Sequence, residues 1–203
     1  MSIILALAPH PDDLEIGCGG TLAQHAKRGD DVYIYVATSG EVGGDADIRR
    51  QEQEAAAAIL GVKKVYWGGF LDTRLPEFGQ PLMASLEQLI QDVNPDTVYF
   101  NHKEDTHQDH RVLAQVAHSV TRYVVNVLTY ETPSTIHFEP TLFMDTSDTL
   151  GLKIQALNAH ASQVERTHSR LNITEIALAT SHFRGVQGKM SCAEAFVPIR
   201  MRL

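Results

Sequence analysis

The strongest constraint on the fold is a repeated alternation of a short apolar run, a turn and a helix-forming stretch. Four such runs occupy the first half of the 203-residue chain, at Ile3–Ala8 and at residues 32–37, 64–67 and 97–101. The first, IILALA, is apolar without interruption, the pattern of a strand buried on both faces. Between the runs lie helix-forming stretches at 21–28, stopped by Gly29-Asp30-Asp31, and at 49–60, stopped by Gly61. A third covers 83–93 and ends at Asn94-Pro95. Strand and helix in alternation predict βαβ units, right-handed crossovers and a mostly parallel sheet. A helix at 112–123 and a strand at 127–130 continue the pattern. The remainder is less regular, with strands expected at 141–144 and 195–199, a helix at 149–159 and another between 164 and 180. The sequence has no internal repeat, low-complexity tract or linker-like shift in composition, so residues 1–203 are expected to form one domain, a size that can bury a sizeable core.

Charge and composition narrow the function. With 17 basic and 25 acidic residues the net charge is −8, which argues against general affinity for nucleic acid or an anionic membrane. No apolar run approaches the roughly 20 residues needed to span a bilayer, and the N-terminal segment lacks the basic region of a signal peptide. Cys18 and Cys192 lie far apart and form no CxxC pair, so cysteine-based zinc coordination is unsupported and a reduced, cytoplasmic setting is expected.

The chemistry-bearing residues concentrate in two loops. After the first apolar run come Pro9-His10-Pro11-Asp12-Asp13, followed by Gly17, Gly19 and Gly20. The prolines end the strand, and the glycine-rich stretch is read as a turn leading into the helix at 21–28. His10, Asp12 and Asp13 are thereby presented at a strand's carboxyl end, where open α/β sheets bind ligands. The loop after the fourth run, residues 102–110, carries His107, Asp109 and His110. If the first and fourth strands lie near each other, His10, Asp13 and His110 supply two imidazoles and one carboxylate. That set suits a catalytic zinc and equally a non-haem ferrous ion. Asp12 is then the natural general base, and His107 a donor to an oxyanion, with Asp109 fixing its tautomer or charge. Read singly, Asp12 is as well explained as a helix N-cap and the two histidines as surface residues; it is their joint placement that points to a metal. Dinucleotide binding is disfavoured, because Leu22 stands where GxGxxG needs a glycine.

With both loops in hand, the chain resembles the LmbE-like, or PIG-L, family of zinc-dependent N-acetylglucosaminyl deacetylases. The matches are PHPDDLEIGCGGTLA at 9–23, TSGEVGG at 38–44, IRRQEQEAAAAILGV at 48–62, HQDH at 107–110, AHASQ at 159–163 and CAEAF at 192–196. The resemblance implies a Rossmann-like three-layer α/β fold with helices on both faces of a mostly parallel sheet. It also implies hydrolytic removal of an acetyl group from a small amino-sugar conjugate, in a protein that forms homo-oligomers. It places zinc on His10, Asp13 and His110, the base at Asp12, and an electrostatic or acid role on His107 supported by Asp109. Arg49 matches a position near the substrate, its alternative being a salt bridge to Glu52, and Asp72 is a further sugar-binding candidate. Two other classes are weighed beside it. A phosphoester hydrolase would need bridging carboxylates for two metals, and a nucleotide-binding module would need the missing glycine fingerprint.

Overall fold

The computed structural model describes residues 1–164 and 171–202. Among the described residues there are seven strands: β1 (Ile3–Ala8), β2 (Asp31–Thr38), β3 (Lys64–Phe70), β4 (Thr97–Asn101), β5 (Asn126–Tyr130), β6 (Leu142–Asp145) and β7 (Ala193–Arg200). They form one sheet in the order β3-β2-β1-β4-β5-β7-β6. The first five in space run parallel, whereas β7 is antiparallel to both its neighbours. The expected α/β sheet is therefore present, and β1 and β4 are adjacent, with Leu5 opposite Val98 and Leu7 opposite Phe100.

The helices are α1 (Asp13–Lys27), α2 (Ala46–Leu60), α3 (Gly79–Val93), α4 (Gln108–Val120), α5 (Leu150–Ala159), α6 (Ala161–Val164) and α7 (Ile173–Gly188). Alternation along β1 divides the core. Leu5 and Leu7 pack with Leu82 and Leu86 of α3 and Leu113 of α4, whereas Ile4, Ala6 and Ala8 pack with Leu14, Cys18 and Leu22 of α1. Helices thus cover both faces, and the chain leaves β1 and β4 toward opposite faces. The crevice between their carboxyl ends is the switch point at which such sheets bind ligands.

The structure corrects the sequence reading at several helix bounds, with α2 and α3 beginning three and four residues before the expected positions. α1 begins at Asp13, eight residues before the expected position, so Gly17, Gly19 and Gly20 lie inside a helix and not in a turn. Two of these glycines are there for close approach: a Cβ on Gly17 would stand 2.1 Å from the Tyr130 ring, and one on Gly20 2.8 Å from Thr146. α4 begins at Gln108, four residues early, which puts His110 in its first turn. α7 starts at Ile173 behind a capping box formed by Asn172 and Glu175 and runs to Gly188, well beyond residue 180. The part of that expected helix falling on 165–170 lies outside the described residues.

α1 is broken at Cys18 (φ −147°, ψ 16°), and a break leaves backbone groups without helical partners. A buried ion pair satisfies them. Glu194 of β7 accepts from the Gly20 and Thr21 N–H groups at 2.8 and 2.7 Å. Lys153 of α5 donates to the Ile16 carbonyl at 2.7 Å and to Glu194 at 2.6 Å. Replacing Glu194 by alanine strands a buried lysine and two helix N–H groups, and is expected to cost about 3–5 kcal/mol in urea denaturation. Lys153→Met combined with Glu194→Leu should cost less, because no charge is left unpaired. An unchanged midpoint in Glu194→Ala would contradict this account of the break.

Candidate metal centre

Two loops and two helix starts build the site. β1 delivers His10 immediately before α1, whose first residue is Asp13. The His10 backbone N–H donates to Asp13 Oδ2 at 3.0 Å, which folds the carboxylate back toward the imidazole. β4 delivers the loop that enters α4 with His107 as its N-cap. Buried Asn101 ties the two ends of that loop together by donating to the carbonyls of His102 and His110.

The six residues read from these two loops converge, though not all in the expected contacts. Asp13 Oδ2 lies 3.3 Å from His10 Nδ1 and 3.4 Å from His110 Nε2. Behind each imidazole stands a carboxylate. His10 Nε2 faces Asp72 at 3.0 Å and Asp109 at 3.2 Å, and His110 Nδ1 faces Asp105 at 3.1 Å. Carboxylates only accept, so these nitrogens each carry a proton, and in the neutral rings His10 Nδ1 and His110 Nε2 are then the bare nitrogens, both turned to Asp13. A histidine backed by a carboxylate and bare at its other nitrogen is the arrangement that metal ligation requires. His107 is the reverse case. Its Nδ1 accepts from the Asp109 backbone N–H at 3.2 Å, so the neutral ring holds its proton on Nε2 and presents a donor.

Ligand atoms of His10, His107 and His110 lie within 4.8 Å of one another, as do those of His10, Asp72 and Asp109. Its tautomer sets His107 apart from the first group as a donor. In the second group Asp72 accepts from Val42 N–H, and Asp109 from Thr73 and Leu75 N–H, so both carboxylates are committed to backbone and to His10. Both groups share His10, and among the described residues no carboxylate is common to the two, as the bridged pair of two-metal phosphoester chemistry would need.

Charge supports a cation here. Asp13, Asp72, Asp105 and Asp109 are all buried, and buried carboxylates are costly without positive partners. Burial works against charge on His10, yet Asp109, Asp13 and Asp72 outweigh it and hold its pKa well above the ordinary value, so the position facing Asp13 attracts positive charge, and an ion there would replace a second ring proton. His110 is likewise raised by Asp13 and Asp105 against its burial. Despite burial, Asp13 and Asp105 are held below the usual carboxylate range by their histidines. His107 is lowered, by burial and then by the neighbouring His10 and His110. Burial pushes Asp12 up to about 6, against the opposing pull of Arg49.

Asp12 occupies the N-cap position of α1 but makes no capping bond with its side chain, its backbone being left-handed at φ 89°. Its carboxylate instead meets Arg49 at 3.2 Å. Arg49 also donates to the Gly40 and Pro11 carbonyls at 2.8 and 2.9 Å, and Glu52 bonds Ser162, so the alternative salt bridge between Arg49 and Glu52 is not formed. A cavity of about 270 Å³ opens over the site, lined by His10, Asp12, Arg49, Asp72 and His107 and by the loops at Val42 and Thr73. A larger one of about 610 Å³ lies along α4 and β7 and touches none of the candidate ligands.

One expectation needs correction. The Asp109 carboxylate braces His10 and not His107, because its first-turn position in α4 aims it at the 73–75 backbone; only its N–H reaches His107. Asp72 lines the cavity while its carboxylate also contacts His10 and accepts from Val42 N–H. Asp105 is not singled out by the sequence at all. It accepts from His107 N–H, Thr132 and Thr135 as well as contacting His110, and no helical or strand spacing links it to these partners.

The fold and the site together define a Rossmann-like α/β protein with a histidine–carboxylate centre at the switch point of its sheet. Residues 5–121 match the PIG-L family, described as GlcNAc-PI de-N-acetylase. The chain is 36% identical over 167 residues to the uncharacterized deacetylase YaiS of Escherichia coli (strain K12), covering 78% of this chain and 90% of that protein. It is 27% identical over 186 residues to the diacetylchitobiose deacetylase of Thermococcus kodakarensis, covering 79% and 69%. The crystal structure of the conserved protein TT1542 from Thermus thermophilus superposes with a TM-score of 0.87 at 28% identity, covering 100% of this chain and 97% of that one. The chain belongs to the PIG-L (LmbE-like) family.

Removing the carboxylate behind His110 tests the centre without touching a candidate ligand. Asp105→Ala is expected to weaken zinc binding about 10–100-fold in calorimetric titration of the metal-free protein. Affinity equal to that of the unaltered chain would count against His110 as a ligand.

Proposed function

We propose that the chain is a zinc-dependent hydrolase that removes the N-acetyl group from an N-acetylglucosamine-type sugar conjugate, with residues 1–203 acting as one domain. The carrying observation is that His10 Nδ1 and His110 Nε2, the nitrogens left to ligate when the carboxylates behind each ring hold the other two, meet the Asp13 carboxylate beside Asp12 in an open cleft. Two neutral nitrogens and one anionic oxygen suit zinc with room for substrate, and suit ferrous ion as well. When bound, such a cation polarises a carbonyl and makes water nucleophilic near neutral pH.

The remaining steps fall to the chain's own residues. Asp12, raised to about 6 by burial, is positioned to take the proton of the attacking water, since a base works best when its pKa lies near the operating pH. Arg49 steadies the same carboxylate through its 3.2 Å contact and stands in the cleft beside the sugar. His107, with its Nε2 proton facing the site, donates to the oxygen on which charge develops as the carbonyl becomes tetrahedral. Asp12 then holds the proton that the departing amine needs. Asp72, Asp105 and Asp109 act from behind, fixing the two ligating rings. The diacetylchitobiose deacetylase among the relatives supports an N-acetylated amino sugar as substrate. No helix among the described residues is long and apolar enough to cross a membrane, and the free, buried cysteines fit a reduced cytoplasmic setting.

The test is acetate release by zinc-reconstituted protein from N-acetylglucosamine, its malate and inositol glycosides, and diacetylchitobiose. Release from at least one is expected, abolished by chelation and restored by zinc. Asp12→Ala should lower kcat by about 10²–10⁴-fold with zinc still bound. Full activity in the chelated protein, or zinc-loaded protein inert toward every substrate, would contradict the proposal.

A further inference from the structure

An aspartate at a helix N-cap ordinarily commits its carboxylate to the helix's own N–H groups. Asp12 does not, because its left-handed backbone turns the side chain away from α1. Non-glycine residues adopt that conformation rarely and at a cost, so something must hold it. α2 supplies two side chains one turn apart, Arg49 and Gln53, a spacing that puts both on one face. Arg49 takes the Asp12 carboxylate. Gln53 takes the backbone, its Oε1 accepting the Asp12 N–H at 3.1 Å.

Gln53 can do this only with its amide oxygen toward the turn, and its other end fixes that orientation. Its Nε2 donates to Glu15 Oε1 at 2.7 Å; a carboxylate cannot donate in return, so a flipped amide would set oxygen against oxygen at Glu15 and N–H against N–H at Asp12. Glu15 is fully buried in the first turn of α1. Its second oxygen lies 3.5 Å from Nε2 of His160, also fully buried, a contact too long to count as a hydrogen bond. A buried glutamate and histidine so loosely joined contribute little stability; what they do is keep an acceptor facing Gln53.

We infer that Gln53 is a positioning residue for the catalytic turn: oriented by Glu15, with His160 behind it, Gln53 holds Asp12 in the left-handed conformation that keeps its carboxylate off the helix and in the cleft. The inference rests on Asp12 acting as the base, as proposed above. It gives a role to the histidine of the AHASQ segment, which the metal centre does not use.

Two readouts test it in the full-length, zinc-loaded chain. In Gln53→Leu the Asp12 amide proton, followed by NMR, is expected to exchange at least about tenfold faster while the β1 amides keep their rates. In the same variant kcat should fall about 100-fold, with KM and zinc stoichiometry unchanged. A polarity swap covers the case in which that variant does not fold. Gln53→Glu alone sets carboxylate against carboxylate and should lose a similar factor. Adding Glu15→Gln restores a donor facing an acceptor and leaves an oxygen for the Asp12 N–H, so kcat should return to within about threefold of the unaltered protein. A folded Gln53→Leu with unchanged Asp12 exchange, or a double variant no faster than Gln53→Glu, overturns the inference. If the unaltered protein releases no acetate from any substrate, the proposed activity fails, while the exchange rate of the Asp12 amide still decides whether Gln53 holds the turn.

Discussion

Four buried carboxylates, Asp13, Asp72, Asp105 and Asp109, surround two imidazoles at the carboxyl ends of β1 and β4. Carboxylates taken out of water are tolerated only where positive charge and hydrogen bonds compensate them. The rest of the structure is arranged around that requirement. The order of the parallel strands sets the two loops side by side. Backbone N–H groups of Val42 and Leu75 fill the oxygens that His10 leaves over, and that of Thr73 shares Asp109 Oδ2 with the ring. Each imidazole is thus fixed in rotation, with the nitrogen left for a metal turned to Asp13.

The same pairing of buried charge with backbone runs through α1. Its first turn carries Asp13 and Glu15, one facing the metal centre and the other facing α2. The break at Cys18 separates this turn from the remainder of the helix, and Lys153 and Glu194 satisfy the backbone groups that the break frees. A continuous helix would need none of this. The buried pair therefore links the far end of the chain to the turn that bears the site, and makes the last strand part of the site's support.

What the sequence discloses follows from how local each signal is. β1 and β4 are readable because a strand buried on both faces is apolar residue after residue, whatever its neighbours. His10, Asp13, His107 and His110 are readable because they cluster within two short loops. The start of α1 is not. Gly17 and Gly20 resemble a turn locally, and only Tyr130 and Thr146, more than a hundred residues away, show that they are there to let the helix approach. The partners of Asp105 and Asp109 are hidden for the same reason, since the direction of each side chain depends on the path of the whole loop and on where α4 begins. Gln53 gives no sign in a helix otherwise rich in polar residues. The capping box at Asn172 and Glu175 is different: that spacing is present in the sequence, but the expectation of a helix between 164 and 180 does not draw on it.

The central claim is that one ion is held by His10, Asp13 and His110, with His107 left free to donate. Anomalous diffraction at the zinc edge from crystals of the zinc-loaded protein tests this most directly. The account predicts a single strong peak bonded to His10 Nδ1, a carboxylate oxygen of Asp13 and His110 Nε2, with His107 unbound. A peak bonded to His107 in place of Asp13, or one seated on Asp72 and Asp109, would contradict it.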